Sequence, residues 1–247
     1  MKNIFKKEQQ SVIAQLCSLE VQTSKSSISP YIQKHVDNHS KLFETPIGLP
    51  PISDYDHVIH LIRGSVLPNI RTNRYPYAQK IEIECTIVEM LEVGIIQPSQ
   101  IYFSAPVVLV HKKGGSWRMC MDNKELSKLT IKDKFPILVI DELLDELHGA
   151  IYFTKLDLCS RYHQIRMKTK EILKMTFRTH EGHYDFLFMP CGPTNALSTF
   201  QSLMNSIFKP FLIKYVLVFF DDILIYNKSW KGHVQHVDEM LKLVEDK

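Results

Sequence analysis

Residues 215–226 read YVLVFFDDILIY: two runs of large apolar residues with Asp221 and Asp222 side by side between them. Short apolar runs separated by a polar step predict two strands flanking a two-residue turn formed by the aspartates. Adjacent carboxylates repel and lose hydration when apolar strands pack around them, so a cation has to compensate. A hard divalent ion is such a cation, and a turn gripped by two strands holds both acids in the fixed directions that octahedral coordination demands. A third acid, Asp157, sits near the end of another strand-like segment, IYFTKLDL (151–158). Three carboxylates on neighbouring strands form a ligand set for two-metal phosphoryl transfer. On spacing alone, the commoner meaning of an Asp-Asp pair is a solvated turn.

The segments around this stretch alternate strands and helices without a strict order. KIEIECTIVEMLEVGII (80–96) has Ile83, Ile87, Met90 and Leu91 at helical spacing and Gly94 where a C-cap would fall, so a helix ending near Val93 is predicted. SAPVVLVHKKGGSWRMCMD (104–122) reads as a hairpin with Lys112 and Lys113 at its tip, and TFRTHEGHYDFLFMP (176–190) as a second hairpin turning at Glu181–Gly182. VIDELLDELHGA (139–150) and GHVQHVDEMLKLVEDK (232–247) read as helices. NALSTFQSLMNSIFKPFL (195–212) reads as another, with Leu197, Phe200, Leu203, Met204 and Ile207 on one face. Such a mixture predicts an α+β fold. Residues 1–44 are polar apart from a patch at Val12–Leu19 and read as a linker or leader with at most one helix, leaving 45–247 as the folded domain.

Composition is that of an ordinary globular chain, with 247 residues, 45% hydrophobic, and a net charge of only +3, which argues against a protein that coats nucleic acid along its whole surface. The charge is uneven: His111–Lys134 holds seven basic residues (Lys112, Lys113, Arg118, Lys124, Lys128, Lys132, Lys134) against three acids. Five widely spaced cysteines suggest neither a zinc knuckle nor a disulfide framework. With no signal peptide or membrane-length apolar run, the expectation is a soluble intracellular protein, cytoplasmic or nuclear. The pairs His57/His60, His180/His183 and His233/His236 have zinc-compatible spacing but no third ligand near in sequence, and read as structural, while Phe188 and Met189 read as core.

The ordered set LPPISDYDHVIHL, RYPYAQKIEIE, EMLEVGIIQPS, FSAPVVLVHKKGGSWRMCMD, TIKDKFPILVIDELLDELHGA, FTKLDLCSRYHQIRM, FRTHEGHYDFLFMP, TFQSLMNSIFKPFL and LVFFDDILIYNKSW resembles the reverse transcriptase of Ty3/gypsy-type (metavirus) retrotransposon Pol polyproteins from about residue 43 to 244. The resemblance implies the fingers and palm of a right-hand polymerase. Fingers would occupy about 45–131 and 165–195, and the palm, a ferredoxin-like antiparallel sheet carrying the FFDD hairpin, about 132–164 and 196–247. It implies an RNA-directed DNA polymerase, a nucleotidyltransferase acting on an RNA or DNA template with primer and on deoxynucleoside triphosphates. The alternative is a decayed or co-opted remnant that binds nucleic acid or has no activity.

By the same resemblance Asp157, Asp221 and Asp222 are the catalytic carboxylates and, with the carbonyl of Leu158, bind two Mg²⁺ ions, Mn²⁺ serving as a substitute. Tyr162 takes the steric-gate position beneath the sugar, Arg118 and Lys112 or Lys113 meet the triphosphate, and Cys191 lines the nucleotide pocket. The basic excess at His111–Lys134 suits that role. Each has a plainer meaning: a half-buried tyrosine, a surface arginine beside Trp117, a solvated hairpin tip.

The chain departs from the family pattern at Arg161, where a small residue normally precedes the gate, at Cys191, Pro193, Leu197 and Ser198, where Phe, Leu, Pro and Ala are usual, and at Asn123, Lys124 and Ser127, where Tyr, Arg and Asn are usual. Its last residue, Lys247, precedes the family's primer grip, thumb and ribonuclease H. The expectation is a thumbless polymerase that holds duplex poorly unless a partner subunit supplies those parts.

Overall fold

The computed structural model describes residues 29–43, 48–111, 115, 117–135, 140–157, 164–190, 192–219 and 222–245. Two compact units result, Met1–Ser40 and Lys41–Lys247. In the first, a proline at the first helical position, whose missing N–H costs a helix nothing there, opens helix α1 (Pro30–Asn38). The patch Val12–Leu19 lies outside the described residues.

The second unit contains two sheets. In the larger, α2 (Tyr77–Glu92) buries Ile83 and Ile87 and gives way at Gly94, whose φ of 73° is the left-handed conformation glycine adopts freely. The chain then runs into β1 (Ile96–Pro98), β2 (Ala105–His111) and β3 (Trp117–Met121). β2 and β3 form the first expected hairpin, with His111 opposite Trp117 at the end where residues 112–116 join the strands. The second expected hairpin is β5 (Thr176–Arg178) with β6 (His183–Phe186). Strand order is β1-β6-β5-β2-β3. The hairpins are joined by a parallel β2–β5 pairing of only two register pairs, Ala105 with Phe177 and Pro106 with Arg178. Phe177, Phe186 and Phe188 fill the core beneath, with rings 4.5 and 5.2 Å apart along the series. Fully burying such a side chain contributes about 1.5–3 kcal/mol. Met189 is also buried, so both residues read as core are core.

The smaller sheet has the order β4-β8-β7, all antiparallel, from β4 (Tyr152–Asp157), β7 (Val216–Phe219) and β8 (Asp222–Asn227). β7 and the middle of β8 are apolar on both faces because both faces are covered there, whereas the edge strand β4 leaves Phe153 and Lys155 exposed. Val216, Val218, Ile223 and Ile225 are buried, as are Phe200, Met204 and Phe208 of α5 (Ala196–Phe208) and Val237, Met240 and Leu241 of α6 (Trp230–Glu245). On the other face Leu217 and Tyr226 cluster with Leu143 of α4 (Ile140–Glu146) and with Leu147 and Leu224. A short helix, α3 (Lys124–Leu129), follows β3.

Two expectations need correction. Asp222 is not a turn residue: it is the first residue of β8, drawn into the sheet because its backbone faces Phe219 on one side and Asp157 on the other. The residues between β7 and β8 are 220–221, which lie outside the described ones. The α5 face also differs: its buried residues are Ala196, Phe200, Gln201, Met204 and Phe208, while Leu197, Leu203 and Ile207 are only partly buried. Gln201 is tolerated inside because its Nε2 donates to the Val218 carbonyl at 3.3 Å and to Asn205 Oδ1 at 2.9 Å. The same helix ends at Phe208, short of residue 212.

Candidate active site

Two of the expected carboxylate positions come together in the smaller sheet. Asp157, the last residue of β4, pairs directly with Asp222, the first of β8. Opposed residues of an antiparallel pair stand roughly 4.5–5.5 Å apart at Cα. The Asp222 side chain is about half exposed, at 51%, and its Oδ1 lies 3.2 Å from Lys155 Nζ. A carboxylate that has kept its access to solvent at the turn end of a hairpin is a hard oxygen donor open to a divalent ion, so the donor set fits Mg²⁺. Asp221, Leu158, Tyr162, Cys191, Lys112 and Lys113 fall outside the described residues, as does Arg161.

Arg118 lies in the other sheet, on β3 opposite Val110, and is exposed. Next to it Cys120 is half-buried, and that burial pushes its thiol pKa up against the opposing pull of the Arg118 charge. Beside the same hairpin is a cavity of about 600 Å³, bordered by Val108, Met121, Asn123, Ser127, Lys128 and Gly192. Asn123, Lys124 and Ser127, three separate departures from the family pattern, thus share one wall. The Asn123 amide is buried, and among the described residues neither of its polar atoms has a hydrogen-bond partner.

The histidines play parts that the chain order hides. His57 is buried, and its Nδ1 lies 2.9 Å from Thr199 Oγ1, which itself donates to the Asn195 carbonyl. One hydroxyl has one proton, so His57 Nδ1–H is the donor. Burial lowers its pKa to about 4, with Glu171 pulling the other way. Burial likewise lowers His233, whose Nε2 meets Thr154 Oγ1 at 2.8 Å. His180 does meet acids: its Nε2 is 2.8 Å from Glu84 Oε1, 96 positions earlier in the chain, and its sequence neighbour Glu181 completes a group with ligand atoms within 4.8 Å of one another.

Sequence reasoning passed over Lys155 and Gln201. A period-of-two reading of KLD would have placed Lys155 on the face of Asp157. Nothing in the order of residues announces that Gln201 meets Val218.

Residues 110–247 match the reverse transcriptase (RNA-dependent DNA polymerase) family, and the chain belongs to it. Its relatives are Pol polyproteins of retrotransposons, as the sequence resemblance implied. The chain is 38% identical over 206 residues to the retrovirus-related Pol polyprotein from transposon 297 of Drosophila melanogaster and 36% over 221 residues to that from transposon opus. It is 34% identical over 196 residues to the transposon Tf2-3 polyprotein of Schizosaccharomyces pombe. These matches take in 77, 81 and 79% of this chain but 19, 22 and 15% of the relatives, so it spans about a fifth of their length.

Among solved structures, the prototype foamy virus protease–reverse transcriptase has a TM-score of 0.75 at 20% identity, over 87% of this chain and 29% of that one. A foamy viral protease–reverse transcriptase in complex with an RNA/DNA hybrid has a TM-score of 0.74 at 18% identity, over 90% and 30%. These likenesses establish the α+β fold. No helix among the described residues is long and apolar enough to cross a membrane.

Proposed function

We propose that the chain is the fingers and palm portion of an RNA-directed DNA polymerase that extends a primer on an RNA or DNA template. The observation that carries this is the register pairing of Asp157 with Asp222 at the turn end of the β7–β8 hairpin, in a chain of this family. The division into fingers, about 45–131 and 165–195, and palm, about 132–164 and 196–247, is supported by the strands of the five-stranded sheet lying in the first set of segments and those of the three-stranded sheet in the second.

Asp157, Asp221 and Asp222, with the Leu158 carbonyl, would hold two Mg²⁺ or Mn²⁺ ions. Bound there, such ions make a hydroxyl oxygen nucleophilic at neutral pH and neutralise charge on a leaving pyrophosphate. The chain's own side chains do the positioning. Arg118 and Lys112 or Lys113 would grip the triphosphate oxygens by charge-assisted hydrogen bonds. Tyr162 would exclude a 2′-hydroxyl by bulk, and Cys191 would border the base and sugar. Template and primer are proposed partners by analogy with the foamy viral enzyme, which is solved with an RNA/DNA hybrid.

Template-directed primer extension by the purified 247-residue chain with Mg²⁺ tests the reading. Extension that vanishes in Asp221→Asn supports it. A folded protein that extends nothing at any concentration overturns it, and retained nucleic-acid binding in that case would identify an interaction module instead.

A further inference from the structure

Lys155 lies two residues before Asp157 on β4, and Asp222 faces Asp157 from β8, which makes Lys155 the diagonal neighbour of Asp222 across the pair. Diagonal positions on neighbouring strands are within reach of a long side chain, and Lys155 Nζ is 3.2 Å from Asp222 Oδ1. As a stability element the contact counts for little, because the two side chains are 42% and 51% exposed and water screens them. Its location is what matters. An oxygen that a divalent ion needs is held by a monovalent ammonium built into the adjacent strand.

We propose that Lys155 is a positioning residue, an internal counter-cation that holds the Asp222 carboxylate in the metal-free chain and yields that oxygen when a divalent ion binds. The inference rests on the carboxylate site proposed above. The exchange is a reversible substitution of one cation for another, with no bond made or broken. A lysine suits it: the ammonium rides on a flexible four-carbon stem and withdraws without any movement of the strand. The divalent affinity of the free chain is therefore lower than the aspartates alone would give, and the carboxylate pair does not face itself uncompensated when no ion is present.

The test is Mn²⁺ binding to the full chain without nucleic acid, read from the electron paramagnetic resonance signal of free Mn²⁺, for wild type, Lys155→Gln, Lys155→Arg and Asp222→Asn. Lys155→Gln is expected to bind about two- to fivefold more tightly, the range that exposed ion pairs contribute. Lys155→Arg, which keeps the charge, should match wild type. Lys155→Met, which keeps the apolar stem, repeats the measurement should glutamine disturb the strand. Equal or weaker binding in both neutral variants, with Asp222→Asn still losing Mn²⁺, overturns the role of Lys155 alone. Wild-type binding in Asp222→Asn overturns the carboxylate site, and the inference with it.

Discussion

Asp157 and Asp222 are register partners at the ends of β4 and β8, so the two acids are fixed by backbone hydrogen bonding rather than by the freedom of a loop. Replacing Asp222 with asparagine keeps that backbone and removes one charged donor. If the proposed function holds, several kcal/mol of transition-state stabilisation go with it, and the extension rate should fall about 100-fold or more. Stability should change by less than about 0.5 kcal/mol, because the side chain is half exposed. Parallel primer-extension and urea-denaturation curves check both halves.

Arg118 stands exposed on β3, in a different sheet from the aspartates. A hydrogen bond to a charged group contributes about 1.5–3 kcal/mol, so on the proposed role of Arg118 in gripping the triphosphate, Arg118→Ala should raise the KM for deoxynucleoside triphosphates about tenfold or more. An unchanged KM in steady-state kinetics would mean that Arg118 is only a surface residue beside Trp117.

His57 predicts a pH dependence of stability. Its folded pKa of about 4 lies below the ordinary 6.5, so the fold favours the neutral ring. Above pH 6.5 both states are neutral and its contribution is complete. As pH falls from 6.5 towards 4 the unfolded chain takes up a proton that the folded one refuses, which costs up to about 3 kcal/mol. Urea midpoints at pH 7 and pH 4.5 should therefore differ less in His57→Asn than in wild type.

Asp185 is a buried carboxyl on β6 that ties three strands: Thr176 Oγ1 is 2.6 Å from its Oδ1, and Gln97 Nε2 donates to its Oδ2 at 3.3 Å. Asp185→Ala removes the buried acceptor shared by Thr176, which is buried, and Gln97, which is exposed, and should cost about 1–3 kcal/mol. Thermal melting is the direct measurement, and a change within 0.5 kcal/mol, the ordinary range for surface substitutions, would contradict the structure.

Most elements were legible because local chemistry and tertiary context agreed. Gly94 marked the end of α2, and the Lys-Lys-Gly-Gly and Glu-Gly steps marked two hairpins that formed as read. The misreadings arose where a distant partner decided. Asp222 looked like a turn residue until its backbone found Asp157, 65 positions earlier in the chain. Gln201 lies outside the apolar face read for α5, yet it is buried because the Val218 carbonyl accepts from its amide. The cavity wall that unites Asn123 with Gly192 exists only once the chain has folded. For the site, the acids were visible as charges in apolar runs, whereas Lys155 has meaning only through the β4–β8 register.

The parallel seam between β2 and β5 has a mechanical side. Only two register pairs join the hairpins there, and one of them includes Pro106, which has no N–H to donate. Within each hairpin the antiparallel rungs outnumber these, five in β2–β3 and three in β5–β6. A force that drew the hairpins apart would part this seam before it unzipped either one, so the larger sheet yields as two stiff leaves about a short crease.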